Sequence, residues 1–188
     1  MQEAAFAPNA LFKMGIYLYT GEGAGKTTNA LGLALRSLGH RHKVVIIQFL
    51  KWWKNTGEYK FPKQFKKAAK YYLIYQFGRE GWHGFKNLTA QDKRRSEKGL
   101  KFAEEITKKF RPDLLVLDEI NLAAHLGLLD VREIISVLKR IQKIKKDIDI
   151  ILTGRYAPKA LINFSDFANK ISVLKMPKKL IAKAGIQY

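Results

Sequence analysis

The sequence predicts an α/β fold with a mostly parallel central sheet of about six strands flanked by helices. Three observations predict it. Short apolar runs alternate with helix-patterned stretches along most of the chain, as in strand–helix–strand units. The runs Lys43-Val44-Val45-Ile46-Ile47-Gln48-Phe49-Leu50 and Asp113-Leu114-Leu115-Val116-Leu117 are almost continuously apolar, as expected of strands buried on both faces. A glycine-rich loop stands between the first apolar run and the first helical stretch.

Taken in order, residues 1–14 lack periodicity and are expected to form an N-terminal arm, with a single α/β domain over 15–188. The first strand covers 15–20. A helix over 27–38 carries a stripe of Ala30, Leu31, Ala34, Leu35 and Leu38, and Gly39-His40 ends it. The second strand covers 43–50. Residues 51–59 read as a loop, 65–70 as weakly helical, and 71–77 as the third strand. A second loop spans 78–88. Thr89 and Asp92 are spaced as a capping box for a long polar helix that stops before Pro112. The fourth strand ends at Asp118-Glu119. Asp130 and Glu133 form another capping box, for a helix to about residue 143. The fifth strand, 149–153, is closed by Gly154-Arg155. A short helix over 160–164 and a sixth strand over 171–175 complete the pattern.

The loop is Thr20-Gly21-Glu22-Gly23-Ala24-Gly25-Lys26-Thr27-Thr28. Strand, glycine-rich loop, Lys-Thr and helix are the parts of a phosphate-binding loop, and with the parallel sheet they predict a P-loop NTPase fold. Glycines let backbone N–H groups turn around an anion, and the helix start adds its positive dipole end. Lys26 supplies a mobile cation. Thr27 offers a hydroxyl to Mg²⁺. In a parallel sheet, ligands sit beyond the carboxyl ends of the strands. The acids at the end of the fourth strand, Asp118 and Glu119, are therefore candidates to hold Mg²⁺ with Thr27. Arg155, after the fifth strand, faces the same crevice as a phosphate clamp. Trp82 and Phe85 lie in the glycine-punctuated second loop, and no pattern buries them. They suit a pocket for a large flat ligand.

Composition narrows the partners. No cysteine is present, which excludes thiolate metal sites and cysteine nucleophiles and suits a reducing cytoplasm. Glu3 stands where a secretory signal carries positive charge, and no apolar run approaches a membrane span, so a cytoplasmic protein without a membrane partner is expected. The net charge is +19, from 35 Lys+Arg against 16 Asp+Glu. An alternative reading of that charge is a P-loop ATPase that binds nucleic acid. The cations are scattered, however, and nucleic acid is not the expected partner.

Further short matches carry a resemblance. Besides the loop, they are Ala30-Leu31-Gly32-Leu33-Ala34-x-Arg36, Gly39-His40 and Gln48-Phe49-x-Lys51. Next come Asp113-Leu114-x-Val116-Leu117-Asp118-Glu119-Ile120 and Leu152-Thr153-Gly154-Arg155-x-Ala157-Pro158. The last is Ala184-Gly185-Ile186-Gln187-Tyr188. From about residue 15 to the C-terminus, the chain resembles the P-loop type ATP:corrinoid adenosyltransferases. That resemblance implies transfer of the 5′-deoxyadenosyl group of ATP to Co(I) of a corrinoid such as cobalamin. Triphosphate is released, in adenosylcobalamin biosynthesis or salvage. It implies ATP held in the orientation opposite to that of ordinary P-loop enzymes, Mg²⁺, an electron donor for Co(II), and a homodimer among the partnerships. It implies ATP contacts from 20–28, with Lys26, Thr27, Thr28 and Arg155 on phosphates and Arg36 near the nucleotide. Lys26, Glu119 and Arg155 are the implied catalytic group. Trp82 and Phe85 are similar to the aromatics that press on the corrin. Two loop positions depart from the family's usual Gly-Asn-Gly-Lys-Gly-Lys-Thr-Thr: Glu22 replaces Asn and Ala24 replaces the first Lys.

Overall fold

In the computed structural model, residues 15–81, 84, 87–178 and 182–188 are described. The expected arm, 1–14, lies outside them, as do Trp82 and Phe85. The described elements run β1 (Ile16–Thr20), α1 (Lys26–Gly39), β2 (Val44–Phe49), α2 (Gly57–Gln64), β3 (Tyr72–Phe77), α3 (Ala90–Phe110), β4 (Leu114–Asp118), α4 (Ile120–His125), α5 (Val131–Ile144), β5 (Asp149–Thr153), α6 (Lys159–Phe164) and β6 (Phe167–Lys170). The six strands form one sheet in the order β3-β2-β4-β5-β1-β6, and every pair is parallel. This is the α/β architecture that the sequence predicts.

Successive strand residues point to opposite faces, so one apolar run serves two cores. Val45, Ile47 and Phe49 of β2 and Leu115 and Leu117 of β4 face one side. There they meet Leu100, Ala103 and Ile106 of α3 and Ile134, Val137, Leu138 and Ile141 of α5. Val44, Ile46, Leu114 and Val116 face the other side, where Ala30 and Ala34 of α1 close over them. The small alanines let α1 sit close to the sheet, and its end points at the crevice above β1 and β4.

Helix ends follow local chemistry. The Thr89 N–H donates to the Asp92 carboxylate at 2.8 Å, so the capping box of α3 forms. For α5, Asp130 accepts from the Arg132 N–H at 2.7 Å. Two expectations are corrected. The sixth strand is not 171–175 but Phe167–Lys170, paired with Tyr17 to Thr20. Ile171 lies beyond that strand, donating its N–H to Thr20 O at 2.8 Å and accepting from the Gly23 N–H at 2.9 Å. Helix also appears earlier than expected, at Gly57–Gln64, starting within the expected loop and running past its end, whereas 66–71 forms turns. Pro62 within α2 hides that helix in the sequence.

Candidate nucleotide site

Strands β1, β2, β4 and β5 deliver their carboxyl ends to one crevice, at the place a parallel sheet reserves for ligands. The glycine-rich loop leaves β1 there. Gly21 has φ 101° and Gly25 has φ 110°, left-handed values at which a side chain is strained. A Cβ on Gly21 would stand 2.3 Å from the Ile171 carbonyl oxygen, so the segment after β6 closes the loop's outer side. Thr20 anchors the loop's start by accepting from the Ala157 N–H at 3.1 Å. Glu22 and Ala24 are exposed.

Lys26 begins α1 and is buried inside the loop. Its Nζ donates to Gly21 O at 2.8 Å and to Gly23 O at 2.6 Å. Burial lowers its pKa, and the Arg155 charge adds to that. The acids Glu119, Glu22 and Asp118 oppose it. Arg155 faces the same loop, with a guanidinium nitrogen 3.9 Å from the Glu22 carboxylate.

At the centre lies Asp118, which is fully buried. Its Oδ1 accepts from the Thr27 hydroxyl at 2.9 Å and the Thr153 hydroxyl at 2.6 Å. Its Oδ2 accepts from Gln48 Nε2 at 3.0 Å and Lys51 Nζ at 2.7 Å. Burial pushes this carboxyl up, but the Lys51 ammonium and the two hydroxyls outweigh it and hold the pKa below the ordinary range. Burial likewise works against the Lys51 ammonium, and its acidic neighbours, Asp118 foremost, outweigh it and raise its pKa.

Glu119 differs. Its backbone is left-handed at φ 65°, its N–H donates to Thr153 Oγ1 at 3.0 Å, and its Oε2 is buried with no hydrogen-bond partner among the described residues. Burial, with the Asp118 charge beside it, raises its pKa. A buried acceptor without a donor is costly, and a cation relieves that cost. The donor set of a hydroxyl and carboxylates suits Mg²⁺, a hard ion that takes oxygen ligands. Glu119 is the better placed acid, because all four acceptances of Asp118 are taken.

Thr27 and Thr28 line a crevice of about 610 Å³ with Lys51, Trp53, Glu58 and the C-terminal Tyr188. Of the sites expected from sequence, the loop, Asp118, Glu119 and Arg155 come together. Arg36 does not. It occupies the last turn of α1, ten residues beyond Lys26 and so about 15 Å along the helix. There it lines a separate crevice with Tyr17, His40 and Asp149. Sequence reasoning gave no role to Gln48, Lys51 or Thr153. The available signal was polarity at the end of an apolar run: a strand buried on both faces has no reason to hold Gln48 unless something there accepts its hydrogen bonds.

Known proteins resemble this chain over most of its length. The family model for ATP:corrinoid adenosyltransferase BtuR/CobO/CobP matches residues 13–188. A corrinoid adenosyltransferase of Sinorhizobium sp. is 29% identical over 176 residues, covering 92% of this chain and 79% of that protein. One from Pseudomonas aeruginosa is 30% identical, covering 92% and 83%. Among solved structures, a KaiC-like protein of Pyrococcus horikoshii OT3 aligns with a TM-score of 0.56 at 16% identity, covering 87% of this chain and 74% of that one, which supports the fold alone. The chain belongs to the ATP:corrinoid adenosyltransferase family.

Proposed function

We propose that the residues gathered around Asp118 carry out the family's reaction, ATP-dependent adenosylation of a corrinoid. The observation that carries this reading is the bond between loop and sheet: Thr27, directly after Lys26, reaches Asp118 at the end of β4. Phosphate loop and acid thereby form one unit. Cobalt(I) attacks C5′ of ATP, the Co–C5′ bond forms, and the C5′–O5′ bond breaks. Triphosphate leaves with the electron pair. Cobalt is the nucleophile, so the protein is not called upon for a general base. Its tasks are to position ATP, to neutralise the leaving group and to exclude water.

Lys26 exchanges the carbonyls of Gly21 and Gly23 for phosphate oxygens, and Arg155 exchanges Glu22. Loop N–H groups add fixed dipoles. Thr27 and Glu119 hold Mg²⁺, which supplies further positive charge to the triphosphate, while Asp118 orients Thr27. Trp82 and Phe85 receive the corrin and exclude its lower ligand, which makes Co(II) easier to reduce by an electron donor. We also assign the protein to the cytoplasm and count a homodimer among its partnerships. Among the described residues no helix is long and apolar enough to cross a membrane.

The test is spectroscopic. Purified protein given Co(I) cobalamin, ATP and Mg²⁺ should convert the corrinoid to its adenosylated form with stoichiometric triphosphate. Release of pyrophosphate, or no ATP-dependent spectral change, would refute the reading.

A further inference from the structure

We propose that Lys51 is a resident cation of the triphosphate site: its ammonium holds Thr27 and Asp118 together until nucleotide binds, then moves onto the triphosphate. The inference rests on the nucleotide reading above and adds a residue to it.

Lys51 Nζ lies 2.7 Å from Asp118 Oδ2 and 3.0 Å from Thr27 Oγ1. A divalent ion ligated by Thr27 and the acids of β4 would meet an ammonium already on those oxygens. Lys51 is also the one charged partner among the four donors to Asp118; Thr27, Thr153 and Gln48 are neutral. It therefore balances the charge of a carboxylate removed from water.

The backbone is built to aim it. Leu50, between β2 and Lys51, is left-handed at φ 58°, a rare conformation for a leucine. Gly78, just past β3, permits that turn: a Cβ there would stand 2.5 Å from Lys51 N and 2.6 Å from Leu50 C. Two neighbouring strand ends are thus shaped around one lysine.

An ammonium has three donors on a flexible stem and can change partners without moving the backbone. When triphosphate arrives, Lys51 can turn to its oxygens. The free oxygen of Glu119 and the vacated Thr27 hydroxyl then serve the ion. Lys51 makes and breaks no covalent bond; it adds positive charge where the leaving group gains negative charge.

Metal and nucleotide binding test this without turnover. Mn²⁺ binding to nucleotide-free protein is followed by electron paramagnetic resonance, and ATP binding in EDTA by calorimetry. Lys51→Met should bind Mn²⁺ at least ~10-fold more tightly than wild type and ATP in EDTA at least ~10-fold more weakly. Lys51→Gln, which keeps a donor to Asp118 without the charge, should shift both affinities the same way. Either affinity staying within about twofold of wild type in a folded variant overturns the proposal. Wild type alone gives a third check: removing the metal should weaken ATP binding by less than ~100-fold, and a larger loss overturns it too. Cobalamin adenosylation by wild type is scored separately, so the activity can stand while the Lys51 role falls.

Discussion

At the scale of single residues, the site is a contest between internal partners and the anion that replaces them. Lys26 is the sharpest case, because its ammonium is inside the loop and Ala24 has already removed one cation usual to the family. Lys26→Ala should lower the rate of adenosyl transfer by ~10²–10³ with the fold intact, as loss of one preorganised charge-stabilising contact does. Single-turnover kinetics beside a circular dichroism spectrum check this, and activity within threefold of wild type sinks it. Glu22 acts in the opposite sense, since it stands 3.9 Å from Arg155 and brings an anion to the phosphates. Both side chains are about half exposed, so the pair is worth about 0.2–1 kcal/mol. Glu22→Gln should therefore tighten ATP by about 1.5–5-fold in calorimetry. Weaker binding would mean that Glu22 supports the loop. The loop and the acids were legible in sequence because their chemistry is local: a lysine and a threonine follow glycines, and two acids end an apolar run. Lys51 was not, because its role depends on a left-handed Leu50 and on Gly78, at the end of the neighbouring strand. Arg36 illustrates the converse, a matched motif residue whose position on α1 keeps it from the loop.

At the scale of elements, legibility tracked burial. β2 and β4 were plain because a strand covered on both faces must be apolar throughout. β6 was missed because it is a sheet edge, exposed along its length, and Phe-Ala-Asn-Lys carries no apolar pattern. The neighbouring Ile171-Ser172-Val173-Leu174 looks more like a strand, yet Ile171 spends its hydrogen bonds on Thr20 and Gly23. α2 was missed because it is short and contains Pro62. It is held by packing, with the Phe61 ring 5.3 Å from that of Tyr72. α3 offers a test of how tightly an element is fitted. Gly99 faces the sheet, and a Cβ there would lie 3.0 Å from the rings of both Phe49 and Phe77. Alanine gains about 1 kcal/mol in helix propensity over glycine. Overpacking against a buried ring costs about 1–3 kcal/mol. Phe49 is fully buried and has nowhere to go, so Gly99→Ala should be net destabilising. A loss of about 1 kcal/mol lowers Tm by about 2–4 °C in a chain of this size. A rise in Tm would show that the interface has slack.

At the scale of the whole molecule, the place that is held together is separate from the place that works. The carboxyl ends of the strands carry left-handed Leu50 and Glu119 and a buried Glu119 oxygen with no partner among the described residues. The amino ends are tied by aspartates that accept neighbouring backbone N–H groups. Asp113 takes that of Lys43 at 2.7 Å, Asp149 that of Gly15 at 3.0 Å, and Asp166 that of Ile16 at 2.7 Å. Lys145 reinforces this edge, reaching Asp113 at 3.0 Å and Asp147 at 2.8 Å from a side chain only 7% exposed. At Asp113, burial pushes the pKa up, but the Lys43 N–H and Lys145 outweigh it and the pKa falls below the ordinary value. At Asp147 the Lys145 bond lowers it. Carboxylates whose pKa is lower in the folded protein stabilise it fully above the unfolded value of about 4, and that contribution drains away as pH falls through the folded values. Lys145 is raised, because its bonds to Asp147 and Asp113 outweigh burial, so its share is present at neutral pH and is lost only in alkali. Lys145→Met should therefore destabilise the protein at pH 7. A fully buried pair would cost more, but both aspartates keep solvent contact, so the loss should be about 1–2 kcal/mol. That corresponds to about 2–8 °C in Tm. As pH falls below about 4 and on through the folded values the carboxyls take up protons, so the difference should narrow steadily towards acid. Calorimetry of the two proteins between pH 3 and pH 7 decides it. A gap that stays constant would mean that Lys145 contributes through the packing of its stem and not through its charge.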